Sequence, residues 1–245
     1  MKLTGDTILI TGGSEGIGFA LAQTLVSSNT VIICGRSEEK LKHAKSLCNG
    51  LHTEICDVTD VSQRQAMVQR LLRSYPQLNV LINNAGAKRR TDLLTHEGVD
   101  AAMIDDMALN FTAPAALCAE LLPHLQSCPR AGIVNMTTGL VHLPKAEQAF
   151  YCAAKAALHS YTQSLGWALR QSAVEVYEVS LPLVNTNFHQ QDLPKNFPAM
   201  QPDEAAHKAL RGIRKGKKQV YVGKASLARW LSVIAPDKGM AIVNK

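Results

Sequence analysis

Tyr151 and Lys155 stand four residues apart in Tyr151-Cys152-Ala153-Ala154-Lys155. The stretch from Tyr151 to Arg170 is rich in Ala and Leu and has no Pro, which predicts a helix. On a helix this spacing puts both side chains on one face, with the ammonium beside the phenol. A phenol has an ordinary pKa of about 10, and a fixed positive charge nearby favours the phenolate. A tyrosine tuned in this way can exchange a proton with a carbonyl or alcohol oxygen. Alone the pair says little, because the same spacing occurs on solvated helices. Its meaning depends on what the chain places around it.

The elements that must do the placing follow one rhythm. Thr7 to Thr11 reads as a buried strand. Gly12-Gly13-Ser14-Glu15-Gly16-Ile17-Gly18 follows, and then an apolar-periodic helix from Phe19 to Leu25. Glycines at such a strand-to-helix turn let the backbone approach a pyrophosphate, whose charge is stabilised at the helix N-terminus. Further strands are expected at Thr30–Cys34, His52–Cys56, Val80–Ile82, Gly132–Thr137 and Val174–Leu181. Helices are expected from Ser37 to Leu47, from Val61 to Ser74 and, bent or ended by Pro114 and Pro123, from Val99 to Leu125. Strands alternating with helices argue for an α/β fold, with a doubly wound parallel sheet covered on both faces.

After Thr186 the rhythm changes. Residues 187–201 read as a mobile substrate loop, and 202–245 as a divergent C-terminal segment. That segment is expected to hold a helix from Pro202 to Ile213, a strand at Gln219–Val222 and a last amphipathic helix at Leu227–Ile234. No repeat or linker interrupts the chain, so residues 1–245 read as one domain.

The composition narrows the function. The chain has 245 residues, enough for one large domain. There is no apolar run of about 18 residues to cross a membrane, and Met1 to Asp6 does not read as a signal peptide. The six cysteines form no C-x-x-C pair, so neither a metal site nor a redox dithiol is expected. Scattered thiols fit a reducing cytoplasm. The net charge of +6 reads as a solvated basic surface rather than a nucleic-acid or membrane interface.

Three motifs occur in order: Thr11-Gly12-x-x-x-Gly16-x-Gly18, Asn83-Asn84-Ala85-Gly86 and Tyr151-x-x-x-Lys155. Together they resemble the short-chain dehydrogenase/reductase family from about Thr4 to Thr186. Within it, Cys34-Gly35-Arg36-Ser37-Glu38, the sequence around Tyr151 and the late Val-x-Val-Gly strand are similar to the DltE-like oxidoreductases. The resemblance implies a single Rossmann-type domain that binds NAD(H) or NADP(H) and acts on a small carbonyl or alcohol substrate. It implies that Gly12, Ser14, Glu15, Gly16, Ile17 and Gly18 form the pyrophosphate turn. Asp57, followed by Val58, matches the carboxylate near the adenine amine. Asn83, Ala85 and Gly86 match the turn beside the ribose, and Pro182, Val184 and Thr186 the segment that holds the carboxamide. Leu183 stands where the family usually has Gly.

The resemblance also implies the chemistry. Tyr151 is the proton donor and acceptor, and Lys155 lowers its pKa and binds the nicotinamide ribose. Thr138, thirteen residues before Tyr151, takes the place of a serine that binds the substrate oxygen. Asn110 matches the asparagine whose helix distortion holds a water near the lysine. The end of the second strand lacks the acidic residue that binds both ribose hydroxyls in NAD enzymes, and Arg36 there can pair with a 2′-phosphate. Glu15 lies where NADP-preferring relatives often have a basic residue. NADP(H) is favoured, with NAD(H) as the alternative. His142, Leu143, Lys145, Phe150 and the loop after Asn187 are candidate substrate contacts, and Lys88-Arg89-Arg90 sits near the expected mouth. Association into a homodimer or homotetramer is usual in the family. The competing reading, motivated by Thr138 and Leu183, is a catalytically silent NAD(P)-binding regulatory or scaffold protein.

Overall fold

A computed structural model describes residues 1–94, 99–186, 188 and 199–244. β1 (Thr7–Thr11) and β4 (Leu78–Asn83) are buried along their whole length, as strands covered on both faces must be. Their side chains alternate between two cores. Ile8 and Ile10 face one side, packed with α1 (Gly16–Leu25), α2 (Glu38–Leu47) and α7 (Pro202–Arg214). Leu9 faces the other, packed with α3 (Val61–Ser74), α5 (Ala113–Ser127) and the end of α6 (Ala149–Ala168).

With β2 (Thr30–Gly35), β3 (Leu51–Ile55), β5 (Ala131–Thr138), β6 (Val174–Leu181) and β7 (Gln219–Tyr221), these strands form a seven-stranded parallel sheet ordered β3-β2-β1-β4-β5-β6-β7. The chain winds outward from β1 to β3, then crosses back to β4 and winds the other way. The crevice outside the carboxyl ends of β1 and β4 is therefore the topological switch point, where open α/β sheets bind ligands.

The expected helix from Val99 to Leu125 is broken, but at neither proline. α4 (Val99–Met107) passes through a π-helical turn, Ala108–Thr112, into α5. Pro114 sits in the first turn of α5, where its missing N–H costs nothing, and Pro123 lies inside the helix without ending it. The C-terminal region holds one helix more than expected, since α8 (Ala225–Ile234) is followed by α9 (Pro236–Val243). Most of the expected substrate loop, residue 187 and residues 189–198, lies outside the described residues. No described helix is long and apolar enough to cross a membrane.

Candidate active site

The switch-point crevice opens into a cavity of about 930 Å³. One end is built by the glycine turn. Gly12 has φ +63°, and a Cβ there would come within 2.9 Å of Ala85 Cα, so only glycine lets the two turns meet. Asn84 fixes that meeting. Its backbone N–H and that of Ala85 both donate to Thr11 Oγ1 at 3.0 Å, and its Nδ2 donates to the carbonyls of Thr11 and Gly12. The first turn of α1 carries no side-chain cap, so its backbone donors suit an anion. Ser14, Glu15, Gly16 and Ile17 line the cavity beside it.

Two of the expected contacts do not reach the cavity. Gly18 faces Gly12 O and the Asn84 side chain and holds the turn together. Asn83 points into the sheet, where its Nδ2 donates to Asn135 Oδ1 at 2.9 Å and to Pro114 O at 3.2 Å. Asn83 therefore belongs to the turn expected beside the ribose with its side chain directed away from the cavity. Strand alternation turns it inward, and Asn84, Ala85 and Gly86 line the cavity instead.

Where β2 ends, Arg36 and Asp57 line the cavity 3.8 Å apart, with Val58 next to them. Asp57 Oδ1 accepts from the N–H and hydroxyl of Thr59, which fixes its carboxylate. Glu15 is paired with Lys40 at 2.8 Å, and Lys40 also lines the cavity. The acidic residue in the glycine turn thus comes with its own cation. Lys40 escaped the sequence reading because the contact depends on how α2 packs across the turn.

The other end is formed by β5, α6 and the segment after β6. Thr138 ends β5 and Tyr151 lies in the first turn of α6, both buried, with the Thr138 side chain beside the phenol. Thr138 Oγ1 also accepts from Leu140 N at 3.3 Å. Lys155 is buried one turn along α6, and its Nζ donates to Met136 O at 3.1 Å. Asn110 sits fully buried in the π-helical turn. Its Nδ2 donates to the carbonyls of Ala87 and Asp106, while its Oδ1 has no hydrogen-bond partner among the described residues. A Cβ on Gly86 would come within 3.0 Å of that Oδ1 and 3.6 Å of Lys155 Nζ, so both polar atoms converge on one glycine.

The electrostatics differ from the sequence expectation. Burial is the largest influence on Tyr151 and pushes its phenol above the ordinary value, with the Cys152 thiol adding to the rise and the Thr138 hydrogen bond opposing it. Burial alone lowers Lys155 to about 8. Its ammonium is directed to the β5 carbonyl rather than to the phenol. Between pH 8 and 10.5 the unfolded chain holds the Lys155 proton and the folded chain has released it. Stability must therefore rise with pH across this window, on account of this residue by on the order of 3 kcal/mol. In melting curves of the cofactor-free protein, Lys155→Met is expected to flatten that rise. An identical pH profile in both proteins would show that Lys155 is not buried as an ammonium.

Pro182, Val184 and Thr186 line the wall beside the glycine turn, with Thr186 against Gly16. Leu183 has no positive φ, so the position does not need the usual glycine, and its carbonyl accepts from Met200 N at 3.0 Å. Leu143 and Lys145 line the cavity, whereas His142 packs against the rings of His159 and Tyr221. Phe150 is not part of the lining. Lys88 lines the mouth, while Arg89 and Arg90 are paired with Asp105 and Glu147. The sequence reading also missed Asp106, a buried carboxyl one turn before Asn110, which burial raises to about 6. Its lone sequence signal is an acid on an otherwise buried helix face.

Glycine turn, switch-point crevice and a buried Thr–Tyr–Lys group at the strands' carboxyl ends define an α/β protein of the Rossmann type. The chain matches the short chain dehydrogenase family over residues 6–196, and it belongs to that family. It is therefore an oxidoreductase acting on CH–OH or C=O groups. It is 43% identical to the uncharacterized oxidoreductase DltE of Bacillus subtilis over 226 residues, 90% of this chain and 89% of that protein, which places it in the DltE-like branch. Its fold is shared with a short chain dehydrogenase from Burkholderia cenocepacia solved in complex with NADP, with a TM-score of 0.87, 23% identity and 100% of each chain covered. It is also shared with a 3-ketoacyl-(acyl-carrier-protein) reductase from Brucella melitensis complexed with NADH, with a TM-score of 0.82, 19% identity and coverage of 90% of this chain and 97% of that one.

Proposed function

We propose that the protein is an NADP(H)-dependent oxidoreductase that moves a hydride between nicotinamide and a small-molecule carbonyl or alcohol substrate, with Tyr151, Lys155, Thr138 and Asn110 handling the proton. The observation that carries the reading is the buried group at the cavity's end: Thr138 beside Tyr151, with Lys155 Nζ and Asn110 Oδ1, which has no partner among the described residues, both facing Gly86. Bound nicotinamide would supply or accept the hydride. The residues present fit such a cofactor. Gly12 and Gly16, at φ +63° and +58°, bring backbone close to a pyrophosphate, and the uncapped start of α1 stabilises its charge. Asp57 suits the adenine, Ala85 and Gly86 the ribose, and Val184 and Thr186 the carboxamide.

In the reductive direction, Thr138 donates a hydrogen bond to the substrate oxygen and Tyr151 gives it a proton as charge develops. A phenol kept protonated by burial is ready to donate. Lys155, released from Met136 O, stabilises the phenolate that results and holds the ribose. Asn110 Oδ1 accepts a hydrogen bond from the water that returns the proton. Oxidation runs the same steps backwards.

The choice of NADP(H) over NAD(H) rests on Arg36 and Lys40. Arg36 is 75% exposed at its side chain and held only at 3.8 Å by Asp57, so it can turn to a 2′-phosphate. Lys40 offsets Glu15, an acid that would otherwise repel that phosphate. Arg36→Asp replaces a phosphate partner with a carboxylate. NADPH affinity is expected to fall at least about tenfold, with NADH favoured relative to wild type. Titrating both proteins with both cofactors by fluorescence tests this, and unchanged NADPH affinity would remove the basis for the choice. The proposal places the protein in the cytoplasm as a homodimer or homotetramer, which fits its six free thiols. Sedimentation of the purified protein reports the oligomeric state.

A further inference from the structure

On top of that carbonyl chemistry, we infer that the substrate carries a long apolar chain, which lies beneath α8 and α9 and leaves the protein between Leu227 and Ile242. Past Tyr151 the cavity wall is mainly apolar, built by Leu140, Leu143, Phe188, Ala228, Leu231 and Val243, with Lys88, Lys145, Gln148 and Lys224 at its edges. Phe188 stands edge-on to Tyr151 with ring centroids 5.8 Å apart, so the apolar wall begins at the reacting group. Leu227 and Ile242 belong to the same lining, yet they are 52% and 57% exposed. The lining therefore reaches the outside, and the exposed Trp230, Val233 and Ile234 lie beyond it on α8.

This roof is fitted to the catalytic loop. A Cβ at Gly139, next to Thr138, would come within 3.3 Å of Ala225 Cα, and one at Gly239 within 2.8 Å of Leu143 Cδ1. The two glycines let α8 and α9 close directly on the segment between Thr138 and Tyr151. Asn244 fastens the end of the roof, accepting from Ala146 N at 2.6 Å and donating to Pro144 O at 3.1 Å. The cation nearest this fastening, Lys145, is paired with Glu147 at 3.3 Å. A small polar substrate would leave so much apolar wall wet. A chain longer than the cavity covers both the lining and the exposed rim, which accounts for large apolar side chains left at the surface.

The test is a series of straight-chain aldehydes of about 4 to 14 carbons reduced with NADPH. We expect kcat/KM to rise about threefold per added methylene and to level once the chain reaches the exit. A flat series, with short polar carbonyls reduced as well as long ones, overturns the inference and leaves the carbonyl chemistry standing. Fluorescence of dansylamino-undecanoate reads the same channel without turnover. Ile242→Lys, at a half-exposed position where the fold tolerates a lysine, and Leu231→Gln are each expected to weaken its binding about tenfold. They should also lower the long-to-short ratio of kcat/KM. Equal probe affinity in all three proteins overturns the inference. If no aldehyde is reduced but probe binding follows this order, the apolar channel stands and the carbonyl chemistry falls.

Discussion

Tyr151→Phe loses turnover by about a thousandfold or more, the range expected for removing a positioned general acid. NADPH binding, measured by fluorescence titration, stays close to wild type. The ring remains in its buried place against Phe188, and only the hydroxyl that meets Thr138 is deleted. The two readouts together matter. A variant that keeps most of its activity would show that Tyr151 is not the proton donor. A variant that loses NADPH affinity in step with activity would make Tyr151 a cofactor contact rather than an acid.

Thr138 separates an enzyme from a silent nucleotide-binding relative. Thr138→Val keeps the side-chain shape and removes the hydroxyl. If that hydroxyl orients a substrate oxygen, kcat/KM falls about a hundredfold or more. Thr138→Ser keeps the hydroxyl and frees its rotamer, so activity should stay within about tenfold. The structure adds a second reading of the same series. Thr138 Oγ1 accepts from Leu140 N and so caps the short turn Gly139–Val141. Valine cannot do this, and its loss should lower stability by about 1 kcal/mol. If Thr138 merely ended a buried strand, Val would match Thr in activity and exceed it in melting temperature. An active, more stable Val variant would therefore remove Thr138 from the site.

What could be read from the sequence was whatever short-range spacing controls. Gly12, Gly16 and Gly18 announce their turn because backbone geometry demands glycine there, and Tyr151 and Lys155 announce their shared face because a helix fixes it. Contacts set by packing were not legible. Periodicity in Ala108-Leu109-Asn110-Phe111-Thr112 gives no sign of a π-helical turn, and only the family resemblance of Asn110 implied a distorted helix there, while the two prolines suggested breaks that α5 absorbs. The Glu15–Lys40 pair joins residues whose distance depends on α2 docking over the glycine turn. α9 lies in a stretch whose Pro236 and Gly239 give it weak helical propensity. Pro236 lies in its first turn, and Gly239 is where Leu143 and Leu231 approach. The depth at which Tyr151 lies was not legible for a related reason. Spacing gives a neighbouring charge but not the depth of burial, which is the largest influence on Tyr151.

Asn84 has a further consequence for the order in which the molecule assembles. Its hydrogen bonds to Thr11 and Gly12 join residues more than seventy positions apart in the chain. They can form only after β4 has docked beside β1, with two strands and three helices already looped out between them. Closing so long a loop makes this contact one of the late events in folding. Once made, it is also slow to open. The amides of Asn84 and Ala85 both donate to Thr11 Oγ1, and releasing them requires β1 and β4 to part. Deuterium should enter these two positions only at the rate of global unfolding, which sets this side of the crevice among the most persistent parts of the fold.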